Sequence, residues 1–109
     1  MPWMTANGIS IHYQLAGDRG PVVILLHEMG GTLHSWDGIV PTLSRTFRTL
    51  RYDQRGAGQS EKVRAPFTNA TLVDDLDAIV ESLRLEPPFH LVTVAAATAQ
   101  ALVFMARHP

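Results

Sequence analysis

The 109-residue chain contains no cysteine, so disulfide bonds, thiolate metal sites and a cysteine nucleophile are all excluded. It has one lysine, Lys62, beside eight arginines and ten carboxylates, and its formal net charge of −1 leaves no basic face for a phosphate backbone. No apolar stretch approaches the ~18 residues of a membrane-spanning helix, and the start, MPWMTANG, lacks the features of a signal peptide. We therefore expect no nucleic-acid partner, no membrane partner and a cytoplasmic location.

The glycine clusters also lack the spacing of nucleotide-binding loops. Residues 27–32 have no GxGxxG spacing, and residues 56–58, Gly-Ala-Gly, lack a third glycine and a following helix. Lys62 does not follow a glycine, so there is no P-loop. We predict no cofactor and no metal.

What is present is the balance of a globular chain, with 46% hydrophobic and 17% charged residues. A chain of this length can hold one hydrophobic core and is too short for two, so we expect a single domain over 1–109.

The hydrophobic pattern predicts alternating strands and helices. Asn7-Gly8 precedes the period-2 segment 9–15, which indicates a hairpin, and the continuous apolar run 21–26 is typical of a strand covered on both faces. Ser35 is a candidate N-cap, and Thr71-Leu72-Val73-Asp74 has the form of a helix start. The pattern predicts parallel strands at about 22–27, 48–53 and 89–94, the last of them buried, and helices near 36–46, 71–84 and 96–107. This order favours an α/β fold with a parallel sheet.

Two motifs follow successive predicted strands at a spacing of about 25 residues. The first is Leu-Leu-His-Glu-Met-Gly-Gly over 25–31, and the second is Tyr-Asp-Gln-Arg-Gly-Ala-Gly-Gln-Ser over 52–60. Together they resemble the oxyanion loop and the DxRGxGxS turn of α/β-hydrolases of the esterase, lactonase and aminopeptidase type. The resemblance covers nearly the whole chain and implies the N-terminal half of that sheet, an antiparallel hairpin plus three parallel strands with flanking helices.

The second motif is interpreted as structural. Asp53 and Arg55 are expected to brace the loop, and Gly56 and Gly58 to supply positive φ. Ser60 is a poor nucleophile candidate because nothing marks an adjacent base and the family uses a different serine.

The first motif has a functional interpretation. Its glycines let backbone N–H groups approach an oxyanion, and the resemblance implies that the amide of Met29 donates there. Glu28 stands where the family usually carries glycine, and a carboxylate beside an oxyanion must point away, be protonated or do something else.

The segment 91–98, Leu-Val-Thr-Val-Ala-Ala-Ala-Thr, aligns with the family's GxSxG nucleophile elbow. The resemblance places Thr93, Ala95 and Ala97 on the Gly, Ser and Gly positions, so the nucleophile serine is missing at Ala95. Ala96 can still offer its backbone N–H as the second oxyanion donor.

The family's triad acid and histidine follow the nucleophile on later strands, and the chain stops at Pro109 before them. We therefore expect a truncated domain that is inactive alone. None of the chain's histidines falls at the family's base position, and His12 and His90 are interpreted as structural because they lie inside predicted strands.

Three functional hypotheses follow. The resemblance implies a hydrolase of carboxylic esters, lactones or related acyl compounds, with a small acyl substrate. The alternative is a non-catalytic α/β-hydrolase fragment that serves as a binding or interaction module, with self-association through the exposed edge of strand 89–94. A third hypothesis makes Glu28 a general base on water facing the Ala95 pocket.

Overall fold

A hairpin opens the chain. In the computed structural model, which describes residues 2–109, strands β1 (Trp3–Ala6) and β2 (Ile9–Ala16) pair antiparallel. Asn7 and Gly8 between them both have positive φ, 51° and 80°, the backbone geometry that a two-residue type I′ turn requires. The predicted hairpin is confirmed.

Three further strands complete a five-stranded sheet with the order β1-β2-β4-β3-β5. They are β3 (Val22–Leu26), β4 (Arg48–Tyr52) and β5 (Phe89–Thr93). β3 pairs in parallel with β4 on one side and with β5 on the other, and β2 joins the sheet antiparallel to β4. Each of the three strands ends one residue before its predicted end, and their parallel pairing confirms the predicted fold class.

Helices cover both faces of the sheet at β3. One face lies under α2 (Asn69–Ser82) and α3 (Ala97–Arg107), and the other packs against Trp36 and Val40. Alternate β3 side chains supply the two cores: Val22, Ile24 and Leu26 on the first face, and Val23 and Leu25 on the second. All five are buried, which explains why this strand is apolar without interruption.

The first helical segment differs from the single helix predicted over 36–46. The structure has a 3₁₀ helix, Leu33–Trp36, followed by a separate helical turn, α1 (Val40–Leu43). Pro41 lies in the first turn of α1, where its missing N–H costs nothing, whereas the same residue inside a continuous helix would remove a hydrogen bond. The prediction of one helix was therefore wrong.

The start of α2 also differs from the prediction. The helix begins at Asn69 and not at Thr71, because Thr68 is the N-cap and exchanges hydrogen bonds with Thr71 in a capping box. Asp74, the acidic residue of the predicted signature, instead accepts a hydrogen bond from Arg107 at the end of α3. The prediction placed Thr71 at the start of the capping motif, whereas Thr71 is the N3 residue of that motif.

β5 forms one edge of the sheet. Within residues 2–109 it pairs only with β3, and its side chains alternate between half-buried and exposed. The prediction of a buried strand was wrong for this reason, since one edge has no neighbour in the described chain. No helix of residues 2–109 is long and apolar enough to cross a membrane.

Candidate active site

A pocket of about 570 Å³ lies where β3, β4 and β5 end. The carboxyl ends of parallel strands are where open α/β sheets bind ligands, because the loops that leave neighbouring strands diverge there. The pocket is lined by residues 27–32 after β3, by residues 54–58 after β4, by Val63, Phe67, Asn69 and Leu72, and by Ala96, Ala97 and Gln100 of the α3 start.

The turn after β4 is organised around the Asp53 carboxylate, which is 1% exposed. It accepts hydrogen bonds from the amides of Leu33 and Gln59 and from His12 Nδ1, at 2.7, 2.8 and 3.0 Å. Because the carboxylate can only accept, Nδ1 of His12 must carry the hydrogen. Burial raises the pKa of Asp53, but these donors outweigh burial and the net pKa lies below its usual value.

The two glycines of this turn are required for different physical reasons. Gly56 and Gly58 both have positive φ, 81° and 50°. A Cβ at Gly56 would meet open space, whereas a Cβ at Gly58 would clash with the carboxylate of Asp53. Gly56 is thus required by backbone conformation alone, and Gly58 also by close approach.

Ser60 and Arg55 connect this turn to the rest of the fold. The buried Ser60 hydroxyl donates to the Asp53 carbonyl and accepts the backbone N–H of His12. Arg55 binds Asp75 of α2 with two nitrogens, at 2.9 and 2.8 Å. Neither side chain is free to react, because each already has its partners inside the protein.

The two pocket loops are joined by His27, a contact that sequence reasoning missed. The backbone N–H of Gln54 donates to His27 Nε2 at 3.0 Å, so Nδ1 carries the hydrogen and donates to the Glu28 carbonyl at 2.8 Å. The Gln54 side chain returns a hydrogen bond to the His27 carbonyl. The one available signal was that both residues follow the ends of adjacent parallel strands.

Glu28 turns its carboxylate toward Ser35. The Ser35 hydroxyl donates to it at 2.6 Å, and this hydrogen bond lowers the pKa of Glu28. A Cβ at Gly31 would overlap the carboxylate, so only glycine leaves room for this arrangement. The sequence predicts Ser35 as a helix N-cap, and this prediction is wrong because Thr32 caps the 3₁₀ helix. Glu28 is therefore ionised and engaged with Ser35 at neutral pH.

Met29 and Ala96 are two pocket residues whose backbone amides have no hydrogen-bond partner in the described chain. Within residues 2–109 neither amide donates a hydrogen bond, and both residues line the same cavity. Met29 is 88% exposed and Ala96 precedes the first turn of α3, so the helix dipole adds to the field at its amide. Two free N–H groups at one cavity can bind an oxygen with developing negative charge.

Ala95 has the left-handed backbone that a nucleophile elbow requires. Its φ is +53°, at the sharp turn from β5 into α3, and alanine adopts this region only at a cost of about 1–2 kcal/mol. The residue is exposed, directly before the two alanines that line the pocket. Strained backbone at a strand-to-helix turn is typical of the α/β-hydrolase elbow.

The hydroxyls beside Ala95 bind one another. Thr93 Oγ1 and Thr98 Oγ1 lie 3.0 Å apart on the two sides of the turn. Thr93 therefore occupies space that glycine would leave open.

The comparisons with known proteins agree with this geometry. The alpha/beta hydrolase fold family matches residues 21–109. The chain belongs to the α/β-hydrolase fold family.

Three relatives illustrate the similarity. A Mycobacterium tuberculosis protein named "Probable oxidoreductase EphD" is 38% identical over 73% of this chain and 14% of its own length. The soluble epoxide hydrolase of Corynebacterium sp. (strain C12) is 35% identical over 71% of this chain and 27% of its own length. The enol-lactonase of Burkholderia xenovorans LB400 superposes with a TM-score of 0.91 and 31% identity, over 98% of this chain and 42% of the lactonase. The chain thus spans less than half the length of each.

Proposed function

We propose that the pocket binds carboxylic esters, lactones or related acyl compounds, and that position 95 has lost the nucleophile that would attack them. The observation that carries the proposal is Ala95 itself. It has the elbow backbone, φ +53°, beside the free amide of Ala96, but its methyl group holds no oxygen.

The amides of Met29 and Ala96 support the acyl assignment. An acyl carbonyl oxygen placed between them would accept both N–H groups, which polarises the carbonyl carbon. The family's next step is attack by the elbow side chain, and alanine cannot make it. Binding is therefore retained in this proposal while the acyl-enzyme route is closed.

Among these compound classes, the name of the enol-lactonase relative favours lactones. The name of the epoxide hydrolase relative shows that the fold also supports hydrolysis of a bond without a carbonyl. The two free amides favour the acyl compound, because an oxygen that gains charge uses both donors.

Glu28 as a general base on water is the weaker mechanism. The hydrogen bond from Ser35 lowers the pKa of Glu28, and a carboxylate with a lower pKa is a poorer base. The carboxylate is also turned toward Ser35 while the free amides lie at the pocket.

Binding is tested by NMR with a small lactone titrated into the 109-residue chain. We expect the amide resonances of Met29 and Ala96 to shift in a saturable way, while that of Thr5 in β1 stays unchanged and serves as the control. Shifts without saturation, or shifts spread evenly over the chain, would contradict the proposed pocket.

Catalysis is tested with activated esters and a fluorophosphonate probe. We expect no turnover above buffer and no serine adduct, and Ala95→Ser alone should not change this, because both ring nitrogens of His27 in the pocket are already engaged and Thr93 still crowds the turn. Recovery should need glycine at 93 and 97, serine at 95, and a C-terminal half that supplies the acid and histidine. Esterase activity in the unmodified chain that disappears on Glu28→Gln would move the chemistry to Glu28.

A second candidate function is self-association through β5, which has one unpaired edge in the described chain. Val92 of β5 and Val94 directly after it are exposed, and so are Leu102 and Met105 of α3. An unpaired apolar edge recruits another strand, and in a purified solution the available strand is that of a second copy.

Light scattering tests this second candidate. We expect the chain to self-associate at tens of micromolar, the range in which exposed edges aggregate. Val92→Lys should reduce the association, because charge on an edge strand opposes pairing. The control is Ile39→Lys, which also replaces an exposed aliphatic residue with lysine but lies outside β5, and it should leave the association unchanged. A stable monomer at that concentration would refute the candidate.

A further inference from the structure

Gln100 is a largely buried pocket residue whose side-chain amide has no hydrogen-bond partner in the described chain. It lies in α3, is 7% exposed and lines the pocket, and its side chain makes no hydrogen bond to any residue of 2–109. Its amide oxygen and nitrogen stay accessible to solvent, unlike Trp36 Nε1 and Tyr52 OH, which are buried without a partner, so they can hydrogen-bond with water or with a ligand. At Gln100 the missing partner can come from the pocket.

The hydrogen-bonding groups of the pocket limit what the partner can be. Met29 and Ala96 offer only N–H donors, whereas the Gln100 side chain offers both a carbonyl acceptor and an NH₂ donor. The pocket can therefore distinguish an acyl compound that carries a second polar group from one that does not.

The charges around the pocket favour a neutral compound. Glu28 is an ionised carboxylate beside Met29. Arg55 also lines the pocket, but its charge is already matched by Asp75. Lys62 does not line the pocket, and its ammonium donates to the carbonyls of Gly56 and Gly58, so an anion would meet the Glu28 charge with no cation among the lining residues left to offset it.

We propose that Gln100 recognises an N–H or O–H group on a neutral acyl compound whose carbonyl oxygen lies at the amides of Met29 and Ala96. The side-chain carbonyl of Gln100 accepts from that group. Val63, Phe67 and Leu72 contact the apolar part of the compound. This inference rests on the proposed function of the pocket and adds the specificity that Gln100 supplies.

The test compares two probes of one skeleton, phenylacetamide and methyl phenylacetate, which differ in the presence of N–H donors. Affinities are measured by NMR at low micromolar protein in the full 109-residue chain. We expect the amide to bind about tenfold more tightly than the ester, the equivalent of 1.4 kcal/mol and within the range for one buried hydrogen bond. Phenylacetate, the anionic member, should bind most weakly, and Glu28→Gln should improve its binding.

Gln100→Leu should remove the preference for the amide and leave ester binding unchanged. The matched control is Gln59→Leu, the same change at an exposed glutamine outside the pocket, which should keep the preference. Gln100→Met, an unbranched apolar replacement of similar length, serves if circular dichroism shows that the leucine variant is unfolded.

The outcomes separate this inference from the function on which it rests. A preference that persists in Gln100→Leu or Gln100→Met overturns the role of Gln100 while the pocket assignment stands. Failure of both neutral probes to shift the Met29 and Ala96 amides overturns the acyl pocket, and the Gln100 inference with it.

Discussion

The turns after β4 and β5 meet at the same edge of the sheet, but they differ in what their side chains do. The turn after β4 is dense with polar contacts, in which Asp53 accepts three hydrogen bonds and Ser60 and Arg55 bind neighbouring segments. The turn after β5 has three consecutive alanines and one side-chain hydrogen bond, between Thr93 and Thr98.

The comparison shows that backbone geometry and chemistry are separable in this fold. The turn after β5 has a strained φ at residue 95 and no polar group that stabilises it. The turn is held instead by the packing of α3 on the sheet, which small side chains at the start of the helix allow. The turn after β4 depends on individual polar atoms. Substitutions should therefore destabilise the turn after β5 little and the turn after β4 strongly.

The largest effect is expected for Asp53→Asn, which keeps the shape of the side chain and removes its charge. The new NH₂ group would face the N–H donors of Leu33, Gln59 or His12, so at least one buried donor loses its acceptor. We expect the free energy of unfolding in urea to fall by about 3–5 kcal/mol, because a buried donor loses its acceptor and the remaining hydrogen bonds lose the negative charge that strengthens them. Asp18→Asn, at an exposed loop aspartate, is the control and should change it little. A small loss at Asp53 would contradict the central role of its carboxylate.

The same carboxylate should make stability depend on acid. The pKa of Asp53 is lower in the folded protein than its usual value of about 3.9, so its contribution is complete above that value and is lost as pH falls through the folded pKa. We expect the difference in unfolding free energy between wild type and Asp53→Asn to shrink below about pH 4. A difference that stays constant from neutral to acidic pH would show that charge at Asp53 contributes nothing.

A glycine pair sharpens the comparison within the turn after β4. Gly56→Ala should cost about 1–2 kcal/mol for left-handed backbone alone. Gly58→Ala should cost a further 1–3 kcal/mol or so, as overpacking does, because its Cβ would displace the Asp53 carboxylate. Equal losses in urea unfolding would mean that the close approach to Asp53 carries no free energy.

The smallest effect is expected at the turn after β5. Ala95→Gly removes the left-handed penalty but adds entropy to the unfolded chain, for a net gain of about 0.5 kcal/mol. Ala99→Gly is the control, since Ala99 is an exposed residue inside α3 and should lose about 0.5–1 kcal/mol. Losses of the same sign at both positions in thermal unfolding would contradict the strained geometry of residue 95.

Much of the fold follows from local sequence patterns. Asn7-Gly8 predicts the hairpin because its residues adopt positive φ easily, and the uninterrupted apolar run at β3 predicts a strand covered on both faces. These features depend on residues close in the chain, so periodicity and turn chemistry are enough to find them. The motifs after β3 and β4 led to the family for the same reason.

The contacts that decide the site are of another kind. His12 meets Asp53 across 41 residues of chain, and His27 meets Gln54 across 27. Gln100 has no sequence signal that its amide would lie in the pocket without a protein partner, and the edge position of β5 was expected only from the family resemblance. Only tertiary packing decides these features, because burial and hydrogen bonding depend on which distant segments become neighbours, while local patterns decide only which segments can form strands, helices and turns.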